Sequence, residues 1–366
     1  MTGLLRPYDH ATVQKILIRA VNWVGDAVMT TPAIALIRQH FPQAEITVLA
    51  NQMVGEIFSF HKWVDRVITF DRKGRHKGIS GRLRLSLELR KESFDMAIIL
   101  PNSFDSALVP WLAGIPVRLG KSSDGRGFML TGRYHPAEGT AVTHEVGYYI
   151  NLVRHFGISG QIVKPGIFTT PEEDSLAAER LAAHGISSND MLIGINPGAA
   201  FGSAKRWFPE RFAEVARRLA ETCSARIVIF GGPAETDIAT EIKQKLAGNA
   251  INLAGKTSVR ELMALIKRCN FFVTNDSGPM HLAAAFDVPL AAIFGSTDHT
   301  TTSPYTDKAV IIRKDVPCAP CKLRECPTIH ECMLAVTADD VVEDSLRLMT
   351  SITGVSKINV TGISKQ

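Results

Sequence analysis

No stretch of the 366 residues reads as a bilayer span: no apolar run approaches the ~20 residues needed to cross one. The opening MTGLLRPYDHATVQ is too polar for a secretory signal, so a cytoplasmic location is expected. Gly-x-Gly-x-x-Gly follows none of the candidate strands, which argues against a nicotinamide-dependent dehydrogenase. No nucleic-acid-binding motif appears, and the most basic segment has no interleaved aromatics, so nucleic acid is not an expected partner. Cysteine is scarce, six in all, and four of them crowd into one segment.

What remains is ordinary globular composition, 45% hydrophobic and 21% charged, in a chain long enough for two domains. Its net charge of +5 is unevenly spread. Residues 1–165 hold 20 Lys and Arg against 13 Asp and Glu, whereas residues 166–366 hold 21 against 23. The excess concentrates in RKGRHKGISGRLRLSLELRK, residues 72–91, with eight basic residues and one acid. A solvated helix face accounts for such a run, and so does a docking surface for an anionic partner such as a membrane.

Short runs rich in β-branched residues alternate with helical patterns along the whole chain. KILIRAV, AEITVLA, RVITF and DMAIIL serve the first half, and MLIGINPG, ARIVIFGG, AINLAG, FFVTND and PLAAIFG the second. This alternation predicts βαβ units and parallel sheets, with all-apolar runs buried on both faces. VKPGIFTTPEED interrupts it as a linker, with a helix beginning near Pro171. The fold class expected is α/β, two doubly wound parallel-sheet domains facing across a cleft, divided as 1–165 and 166–350, with a flexible tail at 351–366. In such sheets ligands lie beyond the carboxyl ends of the strands.

The chemistry-bearing residues cluster at those ends. In FFVTNDSGPMHLAAAF, Ser277 and Gly278 open a helix whose N-terminus suits a diphosphate, while Asp276 suits a sugar hydroxyl and His281 a phosphate or the sugar. An N-cap role for Asp276 or Ser277 fits the same spacing. NPGAAFGSAKRWFPERF places Lys205 after a loop of small residues, a second anion site. Glu235 and Thr257 follow two further strands, where they would meet the ribose and base of a nucleotide. The first strand ends instead in NWVGD, with one glycine and a carboxylate, Asp26. A carboxylate there repels phosphate; it serves either as a general base for an attacking hydroxyl or as a helix cap.

NWVGDAVMTTPAI, NPGAAFGSAKRWFPERF, NDSGPMHLAAAFDVPLAAIFGSTD and CAPCKLRECPTIHECM, in that order, resemble the ADP-heptose:lipopolysaccharide heptosyltransferases from about Lys15 to Leu348. The resemblance implies GT-B architecture, with two Rossmann-like domains. It also implies inverting transfer of L-glycero-D-manno-heptose from ADP-heptose to the first heptose of the lipopolysaccharide inner core, with no cofactor required. By the same resemblance Asp26 is the general base and Lys205 binds the diphosphate and stabilises the leaving ADP. Asp276, Ser277, Gly278 and His281 then hold the donor sugar and phosphates, and Glu235 and Thr257 surround the nucleoside. The first heptosyltransferase of the family has threonines before the lysine where this chain has Ala199 and Ala200, so no hydroxyl contact is carried over. The basic segment would then face the anionic acceptor at the cytoplasmic side of the inner membrane. Rival readings are transfer to another inner-core position, a sugar-nucleotide epimerase of like architecture, and a non-catalytic nucleotide sensor.

Cys318, Cys321, Cys326 and Cys332 follow the spacing Cys-x₂-Cys-x₄-Cys-x₅-Cys, with His330 among them. That pattern suits a compact structural metal site or a redox clip, while a packing loop near the acceptor explains it without either. Cys223 and Cys269 are expected in the core.

Overall fold

Parallel strands buried on both faces are mainly apolar, and the central strands here are so until their carboxyl ends, where Arg19, Asn196 and Asn275 stand. The computed structural model describes residues 8–136, 144–246 and 250–353. Among them the chain separates into two units, Met1–Phe168 and Thr169–Gln366. The tail expected from residue 351 lies, past 353, outside the described residues.

In the first unit β1 (Lys15–Arg19), β2 (Glu45–Ala50), β3 (Arg66–Thr69), β4 (Met96–Ile99), β5 (Val117–Lys121) and β6 (Gly132–Tyr134) form one sheet of order β3-β2-β1-β4-β5-β6. In the second, β7 (Leu192–Asn196), β8 (Arg226–Ile229), β9 (Ala250–Asn252), β10 (Phe271–Asn275), β11 (Leu290–Ile293) and β12 (Ala309–Ile312) take the order β12-β11-β10-β7-β8-β9. All the neighbours pair in parallel. Counted within its own unit, each sheet runs 3-2-1-4-5-6, the Rossmann order, which puts a topological switch point between its first and fourth strands. The α/β expectation of two Rossmann-like domains therefore holds. The short edge strands β6 and β12 are additions to it.

The core of the second unit shows why its loops are firmly placed. Trp207, Phe212, Val215 and Leu219 sit on the sheet residues Ile193, Ile195, Ile227 and Val273, all essentially without solvent contact. Burying each such side chain contributes about 1.5–3 kcal/mol, so the segment from Trp207 onward is a fixed end for the loop before it.

The helix Pro171–Ala182 opens this unit as the linker pattern predicts. Thr170 accepts from the Glu173 N–H at 3.3 Å and Glu173 Oε2 from the Thr170 N–H at 2.8 Å, a reciprocal cap with proline at the first helical position. Glu173 also receives Arg260 Nε at 2.8 Å, from the helix Val259–Lys267. Burial pushes the Glu173 carboxyl up, but the Arg260 hydrogen bonds, the Thr170 N–H and the Arg260 charge together hold it below the usual glutamate value. Its contribution is therefore present above that value and lost as the pH falls through the lowered one. Glu173→Gln should be less stable than the parent at pH 7, with the gap narrowing toward pH 3. Urea midpoints at the two pH values check this, and an equal gap at both would contradict it.

Candidate functional site

The switch point of the second unit lies between β7 and β10, and their last residues converge there. Asn196, ending β7, donates through Nδ2 to Ser277 Oγ at 3.0 Å and to the Gly198 carbonyl at 3.2 Å. Asn275, ending β10, is fully buried and ties down both ends of the Lys205 loop. Its Nδ2 donates to the Pro197 carbonyl at 2.7 Å, and its Oδ1 accepts from the Trp207 N–H at 3.1 Å. Two hydrogen bonds to one buried amide thus fix both ends of the chain between Pro197 and Trp207.

That excursion aims Lys205 at Asp276. The ammonium lies 2.6 Å from Asp276 Oδ2, and the same oxygen accepts from Thr297 Oγ1 at 2.6 Å. Both charged side chains are largely buried, with relative exposures of 13% and 5%. The ring of Phe201 lies 4.9 Å from Lys205 Nζ and 5.2 Å from the Arg324 guanidinium, so two cations flank one aromatic face system. An ammonium has three N–H donors, and one carboxylate leaves donors for an anion.

Ser277 starts the helix Gly278–Ala285, and its side chain makes no capping bond. It is spent on Asn196 and Thr274 instead. The capping alternative for Ser277 is thereby removed. Asp276, turned toward Lys205, is no cap either. His281 is buried one turn into this helix. Glu235 is buried in the turn after β8, where its Oε2 accepts from the Gly232 N–H at 2.7 Å. Its carboxylate lies against Gly198: a β-carbon there would fall 2.0 Å from Glu235 Oε1. Glu235 therefore faces the Lys205 loop, and only glycine permits that approach. Thr257 is half-buried in the loop after β9, before the helix Val259–Lys267.

In the first unit Asp26 stands in the first turn of the helix Val24–His40, at the carboxyl edge of β1. The N-cap is Trp23, so Asp26 is inside the helix rather than its cap, where the helix dipole favours a carboxylate. The helix Glu145–His155 packs on this one. Tyr149 is held well above the usual tyrosine value by burial first, then by the charges of Asp26, Glu145 and Tyr148. Burial also raises Glu145, against the pull of Lys121. Tyr148 Oη donates to Asn102 Oδ1 at 2.9 Å, and its hydroxyl is pushed up to about 12, chiefly by burial. A neutral phenol and a half-buried carboxylate thus share the neighbourhood of Asp26. Sequence reading missed Asn275, Thr297, Arg324, Glu145 and Tyr149. Position in the loop that follows β11 was the available signal for Thr297.

The cysteine segment braces the Lys205 loop. The Ala204 N–H donates to the Arg324 carbonyl at 3.0 Å, His330 Nε2 pairs with the Ala204 carbonyl at 2.9 Å, and a β-carbon on Gly202 would strike the Arg324 oxygen at 2.1 Å. None of the six cysteines is in a disulfide. Cys332 is buried, and burial followed by the neighbouring Cys318, Cys321 and Cys326 raises its thiol. Among the described residues no three His, Cys, Asp or Glu side chains stand in a metal-holding group. Cys269 is buried beside Gly194 and its thiol is pushed up to about 12, as core packing requires.

Parallel Rossmann-like units, one with a cation and an open helix N-terminus at its switch point and the other with a carboxylate, are the parts of a GT-B glycosyltransferase. The family model for glycosyltransferase family 9 (heptosyltransferase) matches residues 82–330, and the chain belongs to that family. It is 34% identical over 313 residues to lipopolysaccharide heptosyltransferase 2 of Salmonella typhimurium, covering 82% of this chain and 88% of the relative. The solved ADP-heptose lipopolysaccharide heptosyltransferase II of Escherichia coli superposes with a TM-score of 0.79 at 31% identity, over 93% of this chain and all of that one. A family 9 glycosyltransferase from Veillonella parvula gives 0.85 at 26% identity, over 94% and 98%.

Among the cysteines with shifted thiols, Cys326 alone is lowered, through hydrogen bonds to the Thr328 side chain and backbone. At pH 7.5 limited iodoacetamide should therefore label Cys326 ahead of Cys332, Cys223 and Cys269, as read by peptide mass spectrometry. Earlier labelling of Cys332 would refute this.

Proposed function

We propose that the protein is a heptosyltransferase II. It transfers L-glycero-D-manno-heptose from ADP-heptose, with inversion, to the first heptose of the lipopolysaccharide inner core. The observation that carries this reading is the near full-length similarity to heptosyltransferases 2, joined to the Lys205–Asp276 pair at the switch point.

The second unit takes the donor. Lys205 keeps one N–H on Asp276 and offers the rest to the diphosphate, where it offsets charge as ADP leaves. The Gly278 N–H at the helix N-terminus and His281 complete the phosphate contacts, with Ser277 locked between Asn196 and Thr274. The second oxygen of Asp276 accepts from a sugar hydroxyl. Glu235 and Thr257 surround the nucleoside.

The first unit takes the acceptor. Asp26 accepts the proton of the attacking hydroxyl, and buried Tyr149 with half-buried Glu145 limits water around it. Asp26→Asn should lower kcat by about 10²–10⁴ while ADP-heptose binding persists. ADP release measured with acceptors bearing zero, one or two heptoses checks both assignments. Turnover at the parent rate in the variant would remove Asp26 as base, and preference for the heptose-free acceptor would overturn the choice of position.

The enzyme works on the cytoplasmic face of the inner membrane, docked through the helix Gly78–Glu92. Ile79, Leu83 and Leu87 recur at four-residue spacing on this helix and are 80%, 48% and 57% exposed. Arg75, Arg84 and Lys91 flank them, an apolar stripe with a basic margin of the kind that seats in an anionic interface. Replacing all three apolar residues by serine should abolish co-flotation with vesicles containing anionic phospholipid. Unchanged flotation would exclude this face.

A further inference from the structure

The first unit holds a second charged feature that none of these roles uses. Strand β1 is apolar from Ile16 to Ile18 and then ends in Arg19, whose side chain is buried. Its guanidinium stacks 4.5 Å from the Phe70 ring and donates to the Ala20 carbonyl and, at 3.3 Å, to Asn22 Oδ1. A buried charge costs several kcal/mol unless it is paired. Among the described residues the one carboxylate on the wall of the recess is Asp105, and it already serves two other cations. Arg82 Nε binds its Oδ1, and Arg72 lies 3.6 Å from its Oδ2.

Three guanidinium groups and one carboxylate thus border a cavity of about 100 Å³, a surplus of two positive charges. His76, also on the wall, spends Nδ1 on the Asp71 N–H and turns Nε2 to Glu88 at 3.3 Å. Among the described residues Arg72 makes the 3.6 Å ion pair and no side-chain hydrogen bond, which leaves donors for a ligand in the recess it lines. Burial brings Arg19 down to about 10, with Asp105 opposing the drop and Arg72 adding to it.

We propose that this recess binds a phosphate group, seated between Arg19, Arg72 and Arg82. A phosphate dianion matches the surplus charge, and its tetrahedral oxygens can meet three guanidinium groups from different directions. A planar carboxylate presents two oxygens to one fork. The shared chemistry admits two sources, a phosphate borne by the acceptor or free inorganic phosphate. Assigning it to the acceptor rests on the transferase reading above, whereas the phosphate site itself does not.

Isothermal titration with inorganic phosphate, on the full chain saturated with ADP so that the diphosphate site is filled, tests the site directly. The expected result is one phosphate per chain, with affinity at least tenfold weaker in Arg72→Gln. Arg82→Gln serves as the second variant, and circular dichroism confirms that both are folded. No phosphate binding, or equal affinity in parent and variants, overturns the site. The source is read from acceptor KM: Arg72→Gln should raise it at least tenfold for a phosphorylated acceptor and leave it unchanged after phosphatase treatment. Equal effects on both acceptors overturn the acceptor as source and leave free phosphate. Absence of any heptose transfer would end the transferase reading while the calorimetry still decides the phosphate site.

Discussion

The ion pair between Lys205 and Asp276 is the constraint around which the second unit is arranged. Burying both charges is costly, and mutual attraction repays it only where geometry is good and the remaining hydrogen bonds are met. The protein meets those terms with parts from distant places. Asn275 pins both ends of the lysine loop, Thr297 supplies a second donor to the carboxylate, and the cysteine segment closes over Gly202 and Ala204. Breaking a buried pair by removing one partner costs about 3–5 kcal/mol, so the lysine stays where an incoming diphosphate would meet it. In the proposed reaction this pair is set before substrate arrives and needs no rearrangement of charges.

The two units show how one topology serves opposite chemistry. Both sheets run 3-2-1-4-5-6, and both place their polar residues beyond the strand ends. The difference lies in the turn after the first strand. In the second unit that turn leads into a small-residue loop and a lysine; in the first it enters a helix whose first turn holds Asp26. In the proposed reaction the cation at one edge binds the anion and the carboxylate at the other removes the proton.

The first unit also concentrates positive charge, and the structure sorts that charge into two surfaces. Arg75, Arg84 and Lys91 border an exposed apolar stripe, whereas Arg72 and Arg82 turn inward to Asp105 beside Arg19. The run of basic residues looks uniform along the chain. The fold separates it: Arg72 and Arg75 precede the helix Gly78–Glu92, and within the helix Arg84 and Lys91, two turns apart, share a face that Arg82 does not.

Much of this was legible before folding. Strands with unbroken apolar runs, such as IVI in β8 and FFV in β10, announce themselves because burial on both faces leaves no polar alternation to confuse. β6, three residues reading GRY at a half-exposed edge, carries too little apolar signal, and AVII of β12 sits among polar loop residues. Lys205, Asp276, Asp26 and Glu235 were visible as residues at strand ends.

By itself the sequence determined the element order, the Rossmann-like class and the family, since these depend on local pattern and on motifs in fixed order. Only the tertiary structure decided what those residues face. Lys205 meets Asp276 across 71 residues of chain and Thr297 joins them from another loop. Arg19, apparently just a strand end, proves to be a buried charge with one shared carboxylate. Pairing of this kind depends on distances through space and on the removal of water, and neither is written in the spacing of residues along a chain.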